Sequence, residues 1–129
     1  MGAGRPDRSF PKACRLVSSD DFRRAYRTRN RGRVGPFGWH ARTNDCQHPR
    51  LGLAVPKRAI KRSTDRSRVK RLIRESFRHN RDRLPAADIV VSVRTQPADL
   101  HDPAIHDEIR RIWDAVLASI GEPRESIVQ

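Results

Sequence analysis

Apolar residues recur along this chain with two periods, and the stretches between them read as turns. Phe22, Ala25 and Tyr26 fall at i, i+3 and i+4 with Arg29 at i+7, while Arg23, Arg24 and Arg27 lie off that stripe. This spacing predicts a short amphipathic helix, opened by Ser18 with Asp21 three residues on and ending before Gly32. Phe37, Trp39 and Ala41 then alternate with Gly38, His40 and Arg42, the period of a half-buried strand. The turn-rich segment from Thr43 to Pro49 leads into a second alternating run, Arg50 to Val55. Its second face carries only small residues after Arg50, so another backbone or a ligand can approach it closely.

Pro56 ends that strand, and a basic connection follows. A helix is predicted from Ser63 or Thr64 to about Asn80, with Val69, Leu72, Ile73 and Phe77 on one face. Ser67, Lys70, Arg71, Arg74, Arg78 and Arg81 fall on the opposite side as a cationic ridge. Leu84-Pro85-Ala86-Ala87 breaks the helix. Asp88 opens Ile89-Val90-Val91-Ser92-Val93-Arg94, a β-branched run suited to a central strand covered on both faces. Asp102-Pro103 starts a last helix with Ile105, Ile109, Ile112, Trp113, Val116, Leu117 and Ile120 at helical spacing and Gly121 as its stop. The order α-β-β-α-β-α predicts an α/β fold, a small two-layer sandwich of helices on a mixed sheet. One domain is expected over residues 16–121, with a flexible basic arm at 1–15 and a frayed tail at 122–129. No internal repeat is visible.

At 129 residues the chain is too short for a TIM barrel or for a dinucleotide-binding domain joined to a substrate domain. Charge changes the picture more than size. Lys and Arg number 28 against 15 Asp and Glu, a formal net charge of +13. A small domain ordinarily carries a charge of magnitude about 2–8, and excess self-repulsion destabilises it, so a polyanionic partner is the natural explanation. The charge is also uneven. Residues 1–56 carry +8, residues 57–83 carry +9, and residues 84–129 carry −4. The polyanion is therefore expected on the first two thirds and most densely on the middle segment. Cys14 and Cys46 form no CxxC pair, no run is long enough to span a membrane, and residues 1–6 lack the apolar core of a signal peptide. A soluble, cytoplasmic, unprocessed protein is expected.

The residues offer no catalytic constellation. No Gly-rich phosphate loop is present, and the basic region lacks the carboxylate cluster of a two-metal nuclease. Cys46 and His48 on one turn are too few to make a metal site. Binding remains: a run of cations almost all of one sign, without the compensating i,i+4 acids of a solvated helix. Such a surface suits the backbone of a folded RNA or of a DNA duplex, which leaves open a ribosomal or other structural RNA-binding protein and a DNA-binding regulator.

Leu51-Gly52-Leu53-Ala54-Val55-Pro56-Lys57-Arg58, followed by Asp65-Arg66-Ser67-Arg68-Val69-Lys70-Arg71-Leu72-Ile73-Arg74-Glu75-Ser76-Phe77-Arg78, resembles the bacterial ribonuclease P protein component. The likeness continues through Leu84 to Val91 and reaches back to Asp21-Phe22, covering roughly residues 12–118. The resemblance implies a left-handed β-α-β crossover, against the usual right-handed rule. It implies an endonuclease subunit with no catalytic residue or metal site of its own and no required protein partner. The RNA subunit of ribonuclease P would hold Mg2+ and remove the 5′ leader of precursor tRNA. Lys57, Arg58, Lys61, Arg62, Arg66, Ser67, Arg68, Lys70, Arg71 and Arg74 would meet that RNA, with Ser67 standing where the family usually has Asn. Phe22, Tyr26 and His40 would contact the single-stranded leader, His40 replacing a more usual aromatic residue.

Overall fold

The computed structural model describes residue 15 and residues 18–121 of the chain. The expected arm, apart from Arg15, and the expected tail lie outside these residues. The elements run α1 (Ser19–Tyr26), β1 (Arg31–Val34), β2 (Phe37–Thr43), β3 (Arg50–Ala54), α2 (Ser63–Asn80), β4 (Ala87–Val93) and α3 (Ala104–Val116). A 3₁₀ turn at Arg81–Arg83 follows α2, and a π-type turn carries α3 on to Gly121.

The mixed α/β sheet is present with one strand more than the periodicity predicts, so the order is α-β-β-β-α-β-α. The strand order is β1-β2-β4-β3, antiparallel except for the β3–β4 pair, whose parallel strands are linked through α2. The added strand β1 is exposed along most of its length, and its Arg-Gly-Arg-Val sequence has no buried face to betray it. The signal that marks it is Gly35-Pro36. Gly35 takes φ 56°, which a hairpin turn requires and a side chain would resist. That turn folds Arg31–Val34 back onto β2, and the preceding helix ends at Tyr26, short of the expected end before Gly32.

Sheet alternation explains the layers. Phe37, Trp39, Ala41, Leu51, Ile89, Val91 and Val93 face α2 and α3, where Val69, Ile73, Phe77, Ile109, Ile112, Trp113 and Val116 complete the main core. α2 and α3 form one helical layer on this face and hold the predicted apolar stripes. The opposite face of β2 and β4 carries Gly38, His40, Asp88, Val90 and Ser92, and α1 crosses it through Ala25 and Phe22 against Val90. One helix therefore stands apart from the other two, across the sheet. Trp113 is fully buried, as its place on the helical stripe predicts. Its ring meets Phe77 edge-on at 5.7 Å, and its indole N–H donates to Ser76 Oγ at 2.8 Å. No helix of the described residues is long and apolar enough to cross a membrane.

Candidate nucleic-acid interface

Two surfaces emerge, one on each side of the sheet. The first is the outer face of α2. Val69, Ile73 and Phe77 bind the helix to the core, and the 3.6-residue period turns Ser67, Lys70, Arg71, Arg74 and Arg78 outward. With Glu75 these residues line an open cavity of about 430 Å³. Burial, and after it the nearby positive charge of Arg15, lowers the pKa of Arg74. Arg15 itself forms an isolated parallel bridge with Leu51 on β3. A second depression of about 500 Å³ continues the ridge at the helix start, between Ser63, Thr64, Ser67, Arg68, Arg71 and His101.

The predicted RNA-subunit residues divide here. Lys57, Lys61 and Arg62 are exposed on the connection before α2. That connection is not loose: Ala59 and Ile60 are buried, and their N–H groups donate to the Pro56 carbonyl at 3.0 and 3.2 Å. Arg66 is turned inward and donates to the carbonyls of Ile60 at 3.0 Å and Lys61 at 2.8 Å. Arg68 donates to the Leu100 carbonyl at 3.3 Å, tying α2 to the loop before α3. Two arginines read from the sequence as RNA contacts therefore also hold their own fold in shape. Arg58 does not line the ridge; it lines a separate cleft with Tyr26 and Arg94.

The second surface is a cleft of about 600 Å³ beside α1, lined by Tyr26, Arg33, Ala54, Arg58, Ser92 and Arg94 among others. Ala54 belongs to the small-residue face of β3 that the sequence marks as open to close approach. The cleft is continuous with an aromatic row. Phe22 and Tyr26 lie 6.5 Å apart along α1, and Tyr26 meets the His40 ring edge-on at 4.9 Å. All three predicted leader contacts are thus brought together, but in different states. Phe22 is half-buried against Ala25 and Val90. His40 is 7% exposed, buried beside Tyr26. Among the described residues Tyr26, at 38%, is the one large apolar side chain left exposed. Burial raises its pKa, and the nearby Arg94 charge opposes that rise.

Arg33 and Arg94 are the residues that sequence reasoning missed. Arg33 lies on β1 and Arg94 just past the end of β4, strands separated in the sheet by β2, and only the pairing register brings them to one cleft. Gly38 makes the room: a Cβ there would stand 2.7 Å from the Arg94 Nε. The signal available in advance was Gly38 itself, on the strand face that alternation gives to Gly38, His40 and Arg42.

His40 Nδ1 is buried without a hydrogen-bond partner. Burial, followed by the charges of Arg31 and Arg94, lowers the His40 pKa. The unfolded chain then binds a proton that the folded chain refuses, so stability present above the unfolded value is lost as pH falls through it. His40→Phe is expected to stabilise the protein by about 1 kcal/mol at neutral pH by removing the orphaned polar atom. The advantage over the parent grows as pH is lowered from about 7 to about 5. Thermal unfolding of both proteins across that range checks this, and a constant difference in Tm would refute it.

Among the described residues no group of three or more His, Cys, Asp or Glu side chains is arranged to hold a metal ion. The two surfaces instead offer guanidinium, ammonium, hydroxyl and aromatic groups, the set that neutralises phosphates and stacks on bases. Similarity to known proteins follows the same direction. A family model described as Ribonuclease P matches residues 10–117. Curated proteins called ribonuclease P protein component from Yersinia enterocolitica and Vibrio campbellii are 36% and 37% identical over 105 residues, 81% of this chain and 88% and 89% of theirs. Among solved structures, the RNase P protein of Staphylococcus aureus is similar with a TM-score of 0.67 at 30% identity, covering 86% of this chain and 97% of that one. The RNase P protein of Thermotoga maritima is similar with a TM-score of 0.65 at 25% identity, covering 77% and 94%.

Proposed function

This chain belongs to the ribonuclease P protein family and is a protein subunit of ribonuclease P, and we propose that it works through two RNA-binding surfaces and no reactive side chain of its own. The outer face of α2 binds the RNA subunit. Lys70, Arg71 and Arg74 neutralise its phosphates, Ser67 supplies a hydroxyl, and Lys57, Lys61 and Arg62 extend the contact along the connection. Arg66 and Arg68 act in the same surface partly by fixing its shape.

The cleft beside α1 binds the single-stranded 5′ leader of precursor tRNA. Tyr26 stacks on an unpaired base, while His40 and Phe22 hold that ring in place. Arg33, Arg58 and Arg94 surround it with positive charge for the adjoining phosphates. Stacking of this kind is worth about 1–3 kcal/mol per base and tolerates any base, which suits a subunit that must accept many leaders. One observation carries this reading: an exposed aromatic ring framed by three guanidinium groups, on the face of the sheet opposite the cationic helix.

Hydrolysis, with its Mg2+ ions, belongs to the RNA subunit in this reading. The protein's part is to hold leader and RNA subunit together and to offset the repulsion between them, a task done in the cytoplasm. The expected result is that the protein alone leaves precursor tRNA intact but restores cleavage by the RNA subunit at low magnesium. Reconstitution at several magnesium concentrations tests it. Absence of rescue, or cleavage by protein free of nucleic acid, would overturn the proposal.

A further inference from the structure

Helix α1 carries Phe22 and Tyr26, yet little apolar surface holds it. It has eight residues, about 12 Å of helix, and a helix that short is marginal without outside contacts. Its one fully buried side chain is Ala25, against Val90, with Phe22 half-buried beside them. Its own cap is local: Ser18 Oγ accepts from the Asp21 N–H at 3.0 Å. Something else must fasten its first turn to the sheet.

Arg50 does so. It opens β3 opposite Asp88 of β4 and donates to both carboxylate oxygens, from Nε at 2.8 Å and from Nη2 at 2.9 Å. The same Nη2 stands 3.5 Å from Asp21 Oδ1 on α1. Asp88 is also held by the Asn44 side-chain amide at 2.8 Å, so the anchor is itself fixed to the loop between β2 and β3. The network is sheltered: the Arg50, Asp21 and Asp88 side chains are 20%, 14% and 5% exposed. Burial pushes the Asp21 carboxyl up, but hydrogen bonds with Ser18 and Arg24 and the charges of Arg50 and Arg24 outweigh it, so the group stays ionised. Arg24 pairs with Asp21 within α1 and cannot tether the helix to anything.

We propose that Arg50 is a positioning residue for the leader cleft: one guanidinium joins α1 to the sheet through Asp21 and Asp88 and so sets where Tyr26 stands over His40. The inference rests on the reading of that cleft as the leader site. A planar fork is needed, because an ammonium cannot make two parallel bonds to Asp88 and still reach Asp21.

The test uses Arg50→Lys and Asp21→Asn in the full chain, the second variant leaving the Arg50–Asp88 pair whole should the first fold poorly. Amide hydrogen exchange in the protein alone is expected to quicken in α1 and not in α2 or α3. In the reconstituted enzyme, affinity for leader-bearing precursor is expected to fall about fivefold relative to affinity for matched mature tRNA. Unchanged α1 exchange, or equal losses for precursor and mature tRNA, would overturn the proposal. Tyr26→Ala measured beside them separates the two ideas. If it is selective against precursor while the Arg50 and Asp21 variants are not, the clamp fails and the cleft reading survives. If it weakens precursor and mature tRNA alike, the cleft reading falls and the clamp's role falls with it.

Discussion

Replacing Arg71 and Arg74 together by alanine is expected to weaken binding to the RNA subunit by one to two orders of magnitude, about 1.4–2.8 kcal/mol. It should also flatten the dependence of log affinity on log salt by about two, one for each phosphate contact removed. Both side chains are exposed on the outer face of α2 and line its open cavity. Neither touches the core, so folding should survive. Arg74 already feels the charge of Arg15, and thinning the ridge relieves some self-repulsion, so Tm should hold steady or rise slightly. Arg66→Ala provides the contrast. Its guanidinium is bonded to the carbonyls of Ile60 and Lys61, and its loss should lower stability by about 1–2 kcal/mol while changing the salt slope less. Filter binding over a salt series, with thermal unfolding alongside, checks both. Equal slopes for the two variants would mean that the inward bonds of Arg66 do not persist on RNA.

Trp113→Ala is expected to cost about 3–5 kcal/mol, the range for emptying a large buried aromatic site, and to lower Tm by roughly 10–20 °C for a domain of this size. The ring is fully buried, packs edge-on against Phe77, and satisfies its N–H on Ser76. Both partners belong to α2, so this one side chain ties the helix that bears the cationic ridge to α3. Trp113→Phe keeps an aromatic ring but leaves Ser76 without its donor, and should fall between the parent and the alanine variant. Chemical denaturation read by circular dichroism measures both. A loss below about 1.5 kcal/mol for alanine would show that α3 collapses to fill the space. RNA affinity at temperatures where the variant stays folded should remain near the parent value, because no ridge cation is removed.

Local pattern determined a good deal of this molecule. The bounds of α2, Ser63–Asn80, follow from its apolar spacing and from the Leu84-Pro85 break beyond it. The β-branched run marks the central strand β4, and the polyarginine face of α2 is legible because a helix converts spacing directly into direction. The same local arithmetic places Trp113 in the core. Kinship of the quoted motifs with a known family extended the reading to function.

Tertiary structure decided the rest, because those features depend on residues far apart in the chain meeting at one register. Inserting β4 between β2 and β3 sets Arg50 against Asp88, 38 residues away, and Asn44 against Asp88, 44 residues away. No periodicity encodes such a meeting. The edge strand β1 has no buried face to pattern its residues, so only its pairing with β2 reveals it. The side of the sheet taken by α1, the turn of Arg66 inward and the passage of Arg58 into the cleft depend on which neighbours compete for the same space. A side chain's residue type says what it can bind, whereas the packing around it decides what it is left to bind.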